Sequence, residues 1–337
     1  MIGRSPGSVA RGTRATVLLL SAVVSAACGA SQPSPPSGTP AASSMASAPP
    51  PSTPPASPPT NTASPGGLAG VPAGKMVDIG GRSLYVSCVG ESAPGEPTVV
   101  FENGLGSPRS SWSAIQTAVS GTVRACAYDR AGMGPSDRAD TEPRTVQDLA
   151  DDLATLLDRA GIQAPYVFVS HSLGPWVTTL FTVAHRDAVV GLVLVDPRGP
   201  DVTDGWLAAL PPAMSGESEA LTAQRDFVTS FGDPSANPEH LDLPSSEAQV
   251  RAALGTDIPP FGDMPLIVLQ AGLPREWADL PEPVRAAWDD AWLDDQSALA
   301  SASTAGRLVV LPESGHNVQD YAPTAVIDAI LEVLDRR

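Results

Sequence analysis

From residue 75 onward, short apolar runs alternate with longer stretches whose apolar residues recur three and four apart. Runs at 82–89, 98–101, 123–128, 166–169, 191–195, 266–270 and 307–311 have strand length and are bounded by turn-forming residues. Over 145–160, Val146, Leu149, Leu153, Leu156 and Leu157 fall on one helical face, and 324–334 predicts a second helix at the C-terminus. Such alternation predicts an α/β protein, a mostly parallel sheet covered by helices on both faces. It breaks once. About seventy residues with several prolines separate the run ending at Val195 from the one beginning at Leu266, too many for a simple crossover. They predict an inserted cap over about 198–262. In open α/β sheets ligands bind beyond the carboxyl ends of the strands, so an insertion after a strand end is expected over the site.

The chain before residue 75 follows another pattern. Arg4, Arg11 and Arg14 precede the apolar run "ATVLLLSAVVSAA", which is short for a bilayer span and has the charged-then-apolar order of an export signal. It ends in Ser25-Ala26-Ala27-Cys28, which resembles a bacterial lipobox, in which the cysteine becomes the lipidated first residue; Ser25 stands where that motif has Leu, Val or Ile. Ordinary secretory cleavage to a soluble protein is the alternative. Residues 28–74 carry no charge and no aromatic ring and are dominated by Pro, Ser, Ala and Thr, a composition that builds no core and is expected to form a disordered spacer. The expected organisation is a signal peptide at 1–27, a lipidated cysteine and linker at 28–74, and a folded domain at 75–337 tethered outside the cell membrane.

Loss of the three N-terminal arginines takes the formal charge from −17 to −20. An acidic body of that kind repels phosphate backbones, which excludes nucleic acid as an expected partner. Cys88 and Cys126 both lie in strand-like runs; they are read either as a disulfide of an exported protein or as two small buried side chains.

The chemistry centres on "VFVSHSLGPW", residues 167–176. A strand-like run leads into Ser170-His171-Ser172-Leu173-Gly174, close to the G-x-S-x-G turn that lifts a nucleophilic serine off a sheet edge, with Ser170 in place of the first glycine. A serine nucleophile needs a base, an acid to orient that base, and donors for the oxyanion. Of four histidines, His171 is locked beside the serines, His185 ends the following helix and His240 lies in the insertion, whereas His316 sits on a Gly-containing loop past the last strand. His316 is therefore the expected base.

"VVFENGLGSPRSSW", "VRACAYDRAGMGPSD", "VSHSLG", "GLVLVDP" and "ESGHNVQDYAP" together resemble the cap-bearing branch of the α/β-hydrolase superfamily, over residues 75–337. The resemblance implies the α/β-hydrolase fold with an eight-stranded, mostly parallel sheet, Ser172 as nucleophile, and the backbone N–H groups of Leu105 and Leu173 as oxyanion donors. Asp129 and Arg130 are read as structural, holding their loop through charged hydrogen bonds. Many such proteins carry the triad acid as G-x-x-D after the penultimate strand, but here Arg275 occupies that place and Glu276 follows it. The other known position is the end of the preceding strand, where Asp196 stands; Asp196 is the assignment and Glu276 the alternative. Serine at 172 argues against the epoxide hydrolases and haloalkane dehalogenases of this fold, which use Asp there. No ligand cluster suggests a metal, and no cofactor is expected. The expected activity is hydrolysis of a small-molecule or lipid-like ester, with amide, peptide or carbon–carbon bond hydrolysis, or binding without catalysis, as alternatives. Trp206, Leu210, Phe227 and Phe231 in the insertion are read either as lining an acyl pocket or as the cap's own core.

Overall fold

A computed structural model describes residues 71–255, 259–273, 275 and 277–337; the expected export signal, Cys28, nearly all of the expected spacer and Glu276 lie outside the described residues. The seven apolar runs and one further segment form eight strands among the described residues: β1 Lys75–Asp78, β2 Ser83–Val89, β3 Thr98–Glu102, β4 Arg124–Tyr128, β5 Tyr166–His171, β6 Val189–Val195, β7 Leu266–Ala271 and β8 Gly306–Leu311. Their order in the sheet is β1-β2-β4-β3-β5-β6-β7-β8. The first two join antiparallel and the rest run parallel. β1 escaped the sequence pattern because it is a short edge strand in which Val77 alone is buried.

The strands of the parallel part read as continuous apolar runs because both faces are covered. Val100, Phe168, Leu192, Leu194 and Val268 point to one core; Val99, Phe101, Val167, Val169, Val193 and Ile267 point to the other. Helices α1 Ser113–Val119, α2 Val146–Ala160, α3 Gly174–Ala184, α4 Val202–Ala209, α5 Glu219–Ser230, α6 Leu243–Leu254, α7 Glu282–Ala300, α8 Val318–Tyr321 and α9 Pro323–Arg336 supply the covering layers. α2 and α3 close the first core; α1 and α9 close the second. α2 starts where Thr145 and Asp148 form a reciprocal capping box and stops at Gly161 in the left-handed conformation.

The long interval after β6 holds α4, α5 and α6. Its aromatic centre is shared with an element outside it: Trp206 of α4 stacks on Trp288 and Trp292 of α7, with centroids 4.9 and 5.8 Å apart, and Trp277 completes the cluster. α7, between β7 and β8, packs on α4 and so joins the cap to the sheet body. Cys88 and Cys126 face each other across β2 and β4 and form a disulfide, which decides between the two readings of that pair.

Candidate active site

Every candidate side chain sits just past the carboxyl end of a parallel strand: Ser172 after β5, Asp196 after β6 and His316 beyond β8. The chain must turn sharply there, and the backbone records it. Ser172 has φ 55° and Asp196 φ 38°, left-handed values that non-glycine residues adopt rarely and that concentrate at functional sites. The Ser172 turn is held from both sides, its N–H donating to the Val195 carbonyl (3.1 Å) and its carbonyl accepting from the Arg198 N–H (2.8 Å). Close packing beneath explains the glycine that follows. A Cβ on Gly174 would lie 2.8 Å from the Asn103 carbonyl oxygen. The position of the missing first glycine tolerates a side chain, since Ser170 is fully buried and its hydroxyl pairs with that of Thr178 at 2.9 Å.

His316 bridges the other two residues. Its Nδ1 is 2.6 Å from Asp196 Oδ2 and its Nε2 is 3.0 Å from Ser172 Oγ. A carboxylate can only accept, so Nδ1 carries the proton and Nε2 presents its lone pair to the serine hydroxyl, the tautomer required of a base. Asp196 is completely buried. Burial alone would raise its pKa, yet the hydrogen bonds from His316 and Arg275 and the Arg275 charge outweigh that and hold the carboxyl well below the usual carboxylate range. Its Oδ1 also accepts from the Ala271 N–H (3.0 Å) and from Gln296 Nε2 (2.8 Å). The structure thus brings Ser172, Asp196 and His316 together; Glu276 lies outside the described residues.

Leu105 and Leu173 lie on the loops flanking the serine, and among the described residues neither backbone N–H donates to a chain acceptor. Arg130 organises the first of these loops. It is almost fully buried, donates to the Asn103 and Gly104 carbonyls at 2.7 and 2.6 Å, and pairs with Glu102 and, through two nitrogens, with Glu239 of the cap interval. With both carbonyls turned toward the guanidinium, the backbone that follows is fixed, and Glu239 secures the Gly106 N–H at 2.7 Å. Asp129 likewise binds Arg109, at its N–H (2.8 Å) and side chain (3.1 Å). Gly104 is required where it stands: a Cβ there would meet His171 Nδ1 at 2.8 Å and the Ser172 Cβ at 3.2 Å.

His171 takes no part in the bridge. Its Nε2 lies 3.0 Å from the His316 carbonyl oxygen, to which it donates. Burial, followed by the proximity of His316, pushes its pKa down to about 4, so it stays neutral. His240 pairs with Glu142, and the His185 ring lies tilted against Phe181, with centroids 4.7 Å apart. A cleft of about 450 Å³ opens at Ser172 and His316 and is walled by Trp206, Phe227, Trp277 and Trp292. Two of the rings belong to residues expected in the insertion, Trp206 and Phe227; Trp206 also lies in the cap cluster, against which Leu210 and Phe231 pack. Sequence reasoning missed Arg275 and Gln296 as partners of Asp196. The unusual residue at 275 was a visible signal, whereas nothing in the polar face of α7 singled out Gln296.

A carboxylate, an imidazole and a hydroxyl aligned at the strand ends of a doubly covered parallel sheet define the class of α/β hydrolases. The chain belongs to the alpha/beta hydrolase family, whose model matches residues 99–329. It is 39% identical over 125 residues to "Probable transporter efuK" of Hormonema carpetanum, a match that spans 36% of this chain and 18% of that protein. It is 27% identical over 259 residues to RutD of Caulobacter sp. (strain K31), whose name assigns it carbamate hydrolysis, covering 74% of this chain and 95% of that one. The fold is shared with a thermophilic esterase from Thermogutta terrifontis at a TM-score of 0.51 and 22% identity, over 78% of this chain and 98% of that chain.

Proposed function

We propose that the chain hydrolyses a small ester through an acyl-enzyme on Ser172. The observation that carries this reading is the His316 ring, within hydrogen-bond reach of Ser172 Oγ at one nitrogen and Asp196 at the other. In the first half-reaction Ser172 Oγ attacks the ester carbonyl while His316 Nε2 takes its proton. Asp196 keeps the ring oriented and stabilises the imidazolium. The N–H groups of Leu105 and Leu173, with the N-terminus of α3 behind the second, receive the oxyanion. His316 then protonates the leaving alcohol, and a water, deprotonated by the same nitrogen, releases the acid from Ser172. Esterase and carbamate-hydrolase relatives support carbonyl chemistry of this kind. The aromatic walls of the cleft favour an apolar or planar substituent on the ester.

The reading is tested by incubating the purified domain with p-nitrophenyl esters of increasing acyl length, beside a serine-directed phosphonate. Turnover with stoichiometric labelling at Ser172 is expected; an intact domain that neither turns over any ester nor takes the label would refute it. We also propose that the protein is exported and anchored by a diacylglyceryl group on Cys28. The arginine, apolar and small-residue order supports this, as does the Cys88–Cys126 disulfide, a bond that persists in oxidising compartments. Mass spectrometry of the native protein should find modified Cys28 as the first residue; a mature N-terminus beyond Cys28 would refute it.

A further inference from the structure

We propose that Arg275 is a positioning residue of the triad, a guanidinium that fixes the Asp196 carboxylate so that it presents one oxygen to His316. The proposal rests on the roles given above to Ser172, Asp196 and His316. Arg275 stands on the loop after β7, three residues past Gly272, and reaches back to the end of β6. Its two terminal nitrogens grip the carboxylate in parallel, NH1 to Oδ2 at 2.9 Å and NH2 to Oδ1 at 3.1 Å. Oδ2 is the oxygen that accepts from His316. Without the fork, Oδ1 keeps the Ala271 N–H, Gln296 and, at 3.4 Å, Trp292 Nε1 as donors, but Oδ2 is left with His316 alone, and the tilt of the carboxylate about the bond to Cβ is no longer set from the Oδ2 side. A planar five-donor guanidinium sets that rotation in a way that a point charge does not.

The guanidinium is itself held. Its side chain is about nine-tenths buried. Its carbon lies 4.4 Å from the centroid of Trp292 and 5.5 Å from that of Trp277, so these two rings set the plane of the fork. Arg275 also lines the substrate cleft beside those rings, which raises a competing role: a cation that binds an anionic part of the substrate. The two roles separate kinetically. A group that orients the base acts on the chemical step, whereas a substrate ligand acts on binding.

The test compares wild type, Arg275→Met and Arg275→Lys on one neutral p-nitrophenyl ester, with active sites counted by phosphonate titration. A second readout, independent of turnover, is the downfield proton resonance of the His316 Nδ1–H hydrogen bond to Asp196. Arg275→Met should lower kcat on the order of 10- to 100-fold with KM nearly unchanged, the scale of a misplaced catalytic group, and should shift or broaden the resonance. Arg275→Lys, which keeps the charge and loses the fork, should fall between, and carries the comparison alone if the methionine variant does not fold. A raised KM with kcat retained would overturn the proposal in favour of substrate binding. Variants with a lower melting temperature but wild-type kcat per titrated site and an unmoved resonance would overturn it in favour of a purely structural ion pair. Wild type that neither turns over any ester of the series nor takes the phosphonate would refute the hydrolase reading instead, and the resonance would still report whether Arg275 orders Asp196.

Discussion

At the scale of single residues, the two serines of the 170–172 turn have opposite environments. Ser172 is on a left-handed turn with its hydroxyl at His316, and Ser170 is buried with its hydroxyl tied to Thr178. Ser172→Ala should abolish phosphonate labelling and lower turnover by several orders of magnitude, the cost of removing a triad serine. Ser170→Gly should retain most of the activity; labelling that survives at position 170 after Ser172→Ala would reverse the assignment. Asp196→Asn keeps the shape but presents an amide that can turn its N–H₂ toward His316, which favours the wrong tautomer, and turnover should fall by about 10⁴. A folded Asp196→Asn with near-normal turnover would remove that residue from the triad. Ser172, Asp196 and His316 were legible as candidates because each lies a few residues or fewer past an apolar run, Asp196 directly and His316 on the loop beyond Leu311, and the runs mark the strand ends. What holds Asp196 was not legible, because Arg275 and Gln296 reach it from elements 79 and 100 residues away in the chain, a distance no local pattern encodes. Arg275 appeared in the sequence as a departure from an expected acid, and in the structure it binds the Asp196 carboxylate.

At the scale of elements, the cap and α7 act as one aromatic unit. The parallel strands were readable as short apolar runs, since both their faces are buried, and α2 from a period of 3.6 along one buried face. α7 carries five acids along "EPVRAAWDDAWLDDQSALA", and its tryptophans are buried in the same cluster as Trp206 of α4, so the core of the expected insertion is shared with an element outside it. Within this unit Trp206 is 2% exposed and Phe227 48%, although both face the cleft. They should therefore respond differently to truncation. Trp206→Ala removes the stacking partner of Trp288 and Trp292 and should cost about 3–5 kcal/mol of stability, whereas Phe227→Ala should change stability by about 0.5 kcal/mol or less. Phe227→Ala should instead alter the dependence of KM on acyl length. Denaturant unfolding beside a p-nitrophenyl ester series checks both; an unchanged acyl profile in Phe227→Ala would remove that ring from the substrate wall.

At the scale of the whole molecule, the response of stability to pH is set by buried groups that pull in opposite directions. His171 titrates near 4 in the fold, below the ordinary value of 6.5. Its neutral form is the one the fold accommodates, so its contribution is complete above 6.5 and is lost as pH falls from 6.5 toward 4, where the unfolded chain takes up a proton and the folded one does not. Asp295 on α7 behaves inversely. Burial, then the nearby Asp201, raises it from 3.8 to about 7, although it accepts the Asp201 N–H at 3.1 Å at the root of the cap. Its contribution is complete below 3.8 and is lost as pH rises from 3.8 to 7. Glu102 and Asp129, raised chiefly by burial, act in the same sense as Asp295, while Asp196, lowered by its partners, acts only below 3.8. Differences between variants isolate the two larger effects, each worth roughly 2–4 kcal/mol at full extent. Asp295→Asn keeps an oxygen acceptor for the Asp201 N–H and removes the charge, so it should be more stable than wild type by roughly that amount at pH 8 and match it near pH 4. His171→Gln should lose less stability than wild type between pH 6.5 and 4. Urea unfolding of the three proteins at pH 4, 5.5 and 8 measures both. An Asp295→Asn difference that is the same at pH 4 and pH 8 would mean that this carboxyl titrates alike in the folded and unfolded chain, and that the α4 root of the cap is held without any dependence on its protonation.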